Sequence, residues 1–470
     1  MDDSLPDPSP TAHPSFREAL RFWLKLGLIS FGGPAGQIAI MQHELVDRRR
    51  WIGQERFLHA LNYCMLLPGP EAQQLAVYCG WLLHRTWGGI VAGALFVLPG
   101  ALVLWALSYV YAAYGEVAWV GAFFDGLKPA VVAVVAAAVL RIGGKALRTP
   151  AMWVIAAAAF GLIFGLGAGF PWIVAGAALA GWLGNRARPD WFPAGGGHGG
   201  GRGANKPGGA RNGKTDTLRA VIDDAGDVEG GLGSAPGWAR AFRIIAACGA
   251  LWAAPLVAAG LVFGWDSTLV GQGAFFSKAA MVTFGGAYAV LPYVAQQAVE
   301  THGWLTGPQM LAGLAFAETT PGPLILVLQH VGFLGGWAQP DGGLSPLAAA
   351  TLCAGMTTWV TFVPCFLWIF LGAPHIERLR GNAALGAALS AVTAAVVGVI
   401  LNLAVWFAWQ VWRPVAVDAE GVAAAGVDWF AVGLSAAVFV ALHRFRANLM
   451  LVIAASGAAG LAWGLVAGGT

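Results

Sequence analysis

Long apolar stretches separated by short polar breaks run along almost the whole chain. Runs such as Trp87 to Tyr114 and Ala383 to Trp409 reach the ~20 residues a helix needs to cross a ~30 Å hydrocarbon core. The pattern predicts six apolar helical segments in the first part of the chain, near 18–42, 57–83, 86–114, 117–140, 151–168 and 170–185. One more is predicted near 240–264, and six follow near 272–299, 308–334, 345–372, 382–411, 428–443 and 447–467. Between the two groups the pattern stops. Residues 186–237 hold glycine runs such as Gly195 to Gly201 and a mixed-charge patch through Asp223-Asp224, a composition that cannot bury a core and predicts a flexible linker. The acidic, proline-rich stretch 1–16 is predicted to be a disordered tail, with no apolar region of a cleavable signal peptide.

Composition supports the membrane reading. Hydrophobic residues make up 57% of the chain and charged residues 11%, against roughly 25% charged in soluble domains. An ordinary soluble enzyme is excluded. The net charge of +3 falls mostly outside the apolar runs, which argues for cytoplasmic loops and a lipid bilayer as partner, and gives no support for nucleic acid. Cys64, Cys79, Cys248, Cys353 and Cys365 lie in apolar stretches without C-x-x-C spacing, so buried free thiols are expected.

The two groups of segments are copies of each other. Lys25, Phe31-Gly32-Gly33, Trp51 and Pro68-Gly69-Pro70 recur at one constant offset as Lys278, Phe284-Gly285-Gly286, Trp304 and Pro321-Gly322-Pro323. The domains are therefore a first transmembrane repeat over 17–185, the linker, an extra segment over 238–265 and a second repeat over 266–470. Six crossings return the chain to its starting side, and the extra segment carries it across. The fold class that follows is an all-α polytopic membrane protein of two inverted-topology repeats, its helices broken at Gly-Gly and Pro-Gly-Pro. A cytoplasmic N-terminus puts Arg17, Arg21, His84-Arg85, Arg141/Lys145/Arg148 and His443 to Arg446 inside, as basic loops prefer. Arg48-Arg49-Arg50 disagrees: it falls outside unless the segment near 18–42 re-enters instead of spanning.

Unwound backbone at membrane depth is tolerated only where it is buried or lines a cavity, and paired interruptions in the two halves of a transporter point to its binding site. Gly32, Gly33, Pro34, Gly285 and Gly286 break the first segment of each copy, and Pro68, Gly69, Pro70, Pro321, Gly322 and Pro323 break the second. Broken helices expose N-H groups that favour anions. Lys25 and Lys278 fit an anion site, or else snorkel to the interface. Gln73 and Gln74 could donate hydrogen bonds to an oxyanion or bind helix to helix. Glu71 and Glu318 flank the Pro-Gly-Pro breaks without being symmetry equivalents. Each is a proton-carrier candidate or a carboxyl bound to freed backbone donors. No cofactor fingerprint, nucleotide-binding loop or His/Cys cluster is present in the sequence, so no cofactor and no metal site are expected.

Phe31-Gly32-Gly33-Pro34, Glu44, Trp51, Leu67-Pro68-Gly69-Pro70 with Gln73-Gln74-Leu75-Ala76, and Val97-Leu98-Pro99-Gly100 resemble the chromate ion transporter family, in its long-chain, two-domain form. The resemblance implies a multi-pass protein of the bacterial inner membrane that exports chromate and confers chromate resistance. It further implies a proton-motive-force-driven antiporter with two domains of opposite topology. It adds Glu44 to the proton-coupling candidates. Pro34 is replaced by Ala287 and Glu44 by Gln297 in the second copy, so the copies are expected to have diverged. Sulfate has the same charge and nearly the same shape, so it is the expected competitor; a sulfate carrier, a passive anion channel and, more remotely, a membrane-embedded enzyme are the alternatives. A homodimer is an open possibility.

Overall fold

The repeated glycine and proline elements each interrupt a helix and turn the chain back. This is seen in the computed structural model, which describes residues 13–31, 33–192, 221–222, 237–372, 383–413, 415–417 and 423–467. Helix α1 (Phe16–Ile29) is capped by Ser15, whose hydroxyl accepts from Glu18 N. It ends at Ser30, whose hydroxyl donates to the Leu26 carbonyl at 2.6 Å. Gly33, at φ +71°, opens α2 (Gly33–Gln42), which runs into a π-helical turn at His43–Arg48.

The chain has by then returned to where it began. The Arg49 guanidinium lies 5.0 Å from the Phe22 ring and 3.7 Å from Glu18, and Trp51 packs edge-on to Phe22 at 5.3 Å. Glu18 and Phe22 belong to the first half of α1. The segment near 18–42 is a re-entrant hairpin. The second copy repeats it in α9 (Thr268–Val282) and α10 (Ala287–Gln296), followed by a π-helical turn at Gln297–Thr301. Trp304 there packs on Phe275 at 5.6 Å, in the places of Trp51 and Phe22.

A second hairpin follows in each copy. Helix α3 (Gln54–Cys64) leads to Pro68-Gly69-Pro70 and then to α4 (Glu71–Tyr114). Helix α4 folds over at His84 (φ −138°) and Arg85 (φ 53°). Its arms, 71–83 and 86–114, lie against each other through glycines: a β-carbon on Gly80 would stand 2.4 Å from the Gly88 carbonyl oxygen, and one on Gly93 2.5 Å from Val77. Small residues allow such close approach of membrane helices. The tip at His84 meets the Pro14 carbonyl at 3.0 Å, so α3 and the first arm also turn back to the N-terminal end. In the second copy α11 (Gly307–Thr319), Pro321-Gly322-Pro323, a 3-10 turn at Leu324–Leu326 and α12 (Val327–Ala338) do likewise. Gln339 Nε2 then donates to the Gly303 carbonyl at 3.4 Å.

The segments near 57–83, 272–299 and 308–334, expected to cross, are thus re-entrant as well. The change leaves the parity intact, because two crossings are replaced by two returns. Only the loops between paired hairpins change sides. Arg48-Arg49-Arg50 now shares an end with Arg17, Arg21 and His84-Arg85, which removes the disagreement with the charge rule. Linker residues dock at the same end, where Val221 N donates to Arg50 O at 3.0 Å and Gly53 N to Ile222 O at 2.9 Å.

The remaining helices are long arms around these hairpins: α5 (Ala118–Ala146), α6 (Pro150–Leu166), α7 (Phe170–Ala187), α8 (Trp238–Phe263), α13 (Pro346–Gly372), α14 (Ala383–Trp412), α15 (Trp429–His443) and α16 (Leu449–Ala467). Among the described residues six helices are long and apolar enough to cross a membrane: α4, α5, α8, α13, α14 and α16. Helix α8 is the most exposed of these, with 11% of its apolar window buried, as expected of a connector facing lipid. A short antiparallel ribbon, Val415–Val417 with Ala423–Ala425, follows α14.

The copies are joined at their breaks. Gly69 N–H donates to the Thr283 carbonyl at 2.8 Å, and Gly322 N–H donates to the Ser30 carbonyl at 2.9 Å. Ser30 and Thr283 are equivalents, as are Gly69 and Gly322, so the two bonds are related by a local twofold. Gly69 (φ +115°) and Gly322 (φ +98°) hold backbone conformations that favour glycine. Gln37, fully buried, extends one junction by donating to the Gly322 carbonyl at 2.5 Å and the Ser30 carbonyl at 3.3 Å.

Two outcomes are expected. A cysteine at Arg50 is labelled by a membrane-impermeant thiol reagent from the same side as one at Arg17; labelling from opposite sides contradicts the re-entrant hairpin. Gly322→Ala lowers stability in detergent by about 1–3 kcal/mol, the usual cost of a strained left-handed residue, read from a thermal melt.

Candidate functional site

Where the four hairpins meet they leave a cavity of about 580 Å³. Its floor comes from the starts of two helices, with Gly33 and Pro34 of α2 and Gly285, Gly286 and Tyr288 at α10. Each of these helices begins at a glycine with positive φ, so its first turn can point backbone N–H groups at the cavity. Glu71, at the first turn of α4, and Glu318, near the end of α11, also line it. Glu318 is 4% exposed. A β-carbon on Gly286 would lie 3.6 Å from Glu71 Oε1, so the carboxyl of one copy sits against the glycine break of the other.

Positive charge enters from outside the hairpins. Arg141, on the last turns of α5, and His443 and Arg446, at the corner between α15 and α16, line the cavity and are exposed. They mark its open mouth. The Tyr288 hydroxyl donates to Glu318 Oε1. The Arg141 side chain lines the same cavity as both. A cavity with two guanidiniums, a tyrosine, two carboxyls and two helix starts can hold a small oxyanion and a proton in one space.

Six of the residues predicted from sequence meet here: Gly33, Pro34, Glu71, Gly285, Gly286 and Glu318. Gly32 lies outside the described residues. Pro68, Gly69, Pro70, Pro321, Gly322 and Pro323 are not among the lining residues; they form the junctions behind the floor. Gln73 and Gln74 are fully buried away from the cavity, and Gln74 Nε2 donates to the Pro68 carbonyl at 2.7 Å, bracing the break. Lys25 and Lys278 are exposed on α1 and α9 and do not line the cavity. The expectation that a symmetric lysine pair surrounds the pocket is therefore corrected: a residue on the outward face of a hairpin cannot reach the space between hairpins.

Glu44 also lies outside the cavity. Its carboxylate takes Arg48 at 2.9 Å and Arg49 at 3.3 Å, and Arg49 carries the contact on to Glu18 and Phe22 that closes the first hairpin. Burial alone would raise the Glu44 carboxyl; Arg48 and Arg49 outweigh it and hold it below the usual carboxylate value. It thus anchors Arg49, the side chain that reaches α1.

Sequence reasoning missed Arg141 and Tyr288 as site residues. Arg141 was legible only as one of three basic residues in a loop. Tyr288 stands where the first copy has Ala35, so the repeat gave no sign of it.

A family model described as Chromate transporter matches residues 17–182 and 272–461. The chain belongs to the chromate transporter family. The two matched blocks leave out the linker and α8, which is where the repeat pattern also stops. The chain is similar to a chromate transport protein of Pseudomonas aeruginosa, 33% identical over 96% of this chain and 93% of that protein. It is 27% identical to a chromate transport protein of Cupriavidus metallidurans over 82% of this chain and 81% of that one. A probable chromate transport protein of Synechococcus elongatus is 26% identical over 84% of this chain and 85% of its own length. No solved structure matches significantly.

The Glu44 cluster gives a pH expectation. A carboxyl lowered by folding stabilises the fold above its unfolded value, and that contribution is lost as pH falls through the lowered folded value. Glu44→Gln is expected to melt lower than the parent at neutral pH and to lose part of the parent's acid dependence. Coincident acid-titration curves for the two would contradict the pairing.

Proposed function

We propose that this member of the chromate transporter family is a secondary carrier that exports chromate from the bacterial cytoplasm, energised by the proton motive force, and so confers chromate resistance. The observation that carries the reading is the cavity itself. Both glycine breaks, two carboxyls and the Arg141 guanidinium converge on one space open at its cationic end. A tetrahedral dianion suits an arginine fork and oriented N–H donors. The chemistry the side chains offer is binding and proton exchange, which supports a carrier over an enzyme.

Orientation follows from charge. The mouth carries Arg141, His443 and Arg446, at the end the basic-loop rule assigns to the cytoplasm. In this reading the structure is the inward-open state of the inner-membrane carrier, with a cytoplasmic N-terminus. The twofold junction would then relate two inverted repeats, and rocking one against the other would carry the site across.

The test is chromate flux into everted vesicles, with and without a proton gradient and with sulfate as competitor. Arg141→Gln is expected to weaken transport about ten- to hundredfold, the equivalent of losing a hydrogen bond to a charged group at about 1.5–3 kcal/mol. Lys25→Gln and Lys278→Gln should stay near parental flux. Unchanged flux in Arg141→Gln would place the substrate elsewhere, and flux indifferent to the gradient would favour a channel.

A further inference from the structure

The last corner of each copy has the same backbone and different chemistry. In the first copy α6 ends at Gly167, in the left-handed region at φ +61°, and Ala168 N donates to the Leu162 carbonyl at 3.1 Å before α7 begins. In the second copy α15 runs into the same motif: Arg446 stands at φ +51°, and Ala447 N donates to the Ala441 carbonyl at 3.1 Å before α16 begins. A bond of this reach around one left-handed residue is a common helix stop, and glycine takes the left-handed position without steric cost. The first copy has that glycine. The second has an arginine, held against the preference of its own backbone.

The place of the side chain accounts for the exchange. Arg446 is exposed and lines the mouth of the cavity. Gly167 is not among the lining residues, and a β-carbon there would meet nothing within 4 Å. The basic-loop rule does not explain the arginine, since Arg444 supplies charge to the same corner in ordinary helical conformation (φ −88°) and does not line the cavity. Arg50 and Arg85 also hold positive φ, where the first-copy hairpins end, and neither lines the cavity. A strained residue that faces a site is a pointer to function there.

We infer that Arg446 captures the anion at the mouth, and that the two faces of the carrier are unequal because the matching corner has glycine. The inference rests on the proposed carrier with inverted repeats, in which rocking opens the cavity toward the Gly167 corner. At the arginine corner a guanidinium fork offers paired N–H donors to a tetrahedral dianion and raises its local concentration. At the other corner Phe164, Gly165, Leu166 and Gly167 stand in the places of His443, Arg444, Phe445 and Arg446, so those positions hold no cation to retain the anion. The driving force still sets the direction of net flux. The corners set the concentration at which each face saturates, low where the anion is loaded and high where it is released.

Arg446→Gly tests this, because it removes the cation and relieves the backbone at once. Labelled chromate is exchanged into vesicles of either orientation preloaded with unlabelled chromate. In everted vesicles, which present the cytoplasmic face, KM should rise about three- to tenfold, between the loss of a surface ion pair and that of a hydrogen bond to a charged group. In right-side-out vesicles it should keep the parental value. The purified variant should melt higher than the parent, since glycine suits the left-handed backbone. Arg446→Asn, which also tolerates that backbone, should repeat the one-sided rise in KM, and Arg444→Gln should match the parent on both faces. An unchanged KM on the cytoplasmic face, or an equal change on both faces, overturns the capture role. A glycine variant that melts lower than the parent shows that the arginine serves the packing of the corner, and overturns it as well. Absence of saturable exchange in the parent would instead overturn the carrier reading.

Discussion

Two backbone hydrogen bonds hold this architecture together: Gly69 to Thr283 and Gly322 to Ser30. Deep in a bilayer an unpaired peptide N–H costs several kcal/mol, and each break at Pro-Gly-Pro frees one. Neither copy satisfies that group from its own hairpins. Each borrows the carbonyl that the other frees just before its Phe-Gly-Gly break. The serine and threonine at those positions complete the arrangement, each turning its hydroxyl onto the carbonyl four residues back and leaving its own carbonyl for the partner copy. Irregular backbone thus becomes the contact between halves, and the space it cannot fill becomes the cavity.

The division of labour around that cavity follows from the same constraint. The hairpins supply backbone and carboxyls, all near the crossing point. They cannot supply cations there, because their lysines lie on outward faces. The positive charge arrives on the long helices, Arg141 from α5 and Arg446 after α15. Electrostatics at the floor and at the mouth are therefore set by different parts of each repeat, and relative motion of hairpins and long helices would change the distance between acid and base.

Much of this was legible in the sequence. The constant offset between Phe31-Gly32-Gly33 and Phe284-Gly285-Gly286 located the repeat; of the paired breaks, the Gly-Gly pair lies at the cavity and the Pro-Gly-Pro pair does not, a difference the sequence does not show because glycine and proline are common in membrane helices. Re-entry was visible only as an anomaly, the arginines at 48–50 on the wrong side. Apolar segments of 25 or so residues satisfy a length criterion whether they span or fold in two. The charged pair His84-Arg85 divided the segments near 57–83 and 86–114 at the place where α4 folds over; what it did not show is that the first of them returns instead of crossing. Arg141 and Tyr288 were illegible as site residues because neither has a counterpart in the other copy; symmetry finds what the copies share, and the chemistry of this site lies partly in what they do not. Lys25 and Lys278 show the converse, an identity between copies that marks a matching surface position and not a matching role.

The borrowed carbonyls also bear on how such a chain could have arisen. A gene holding only one of the two halves would make a product with an orphaned amide at its centre, unable to settle as a monomer. It would need a second molecule to close the junction. Joining both halves in a single reading frame makes that partner permanent, always present in equal number, and free to drift in sequence on one side while the other is kept.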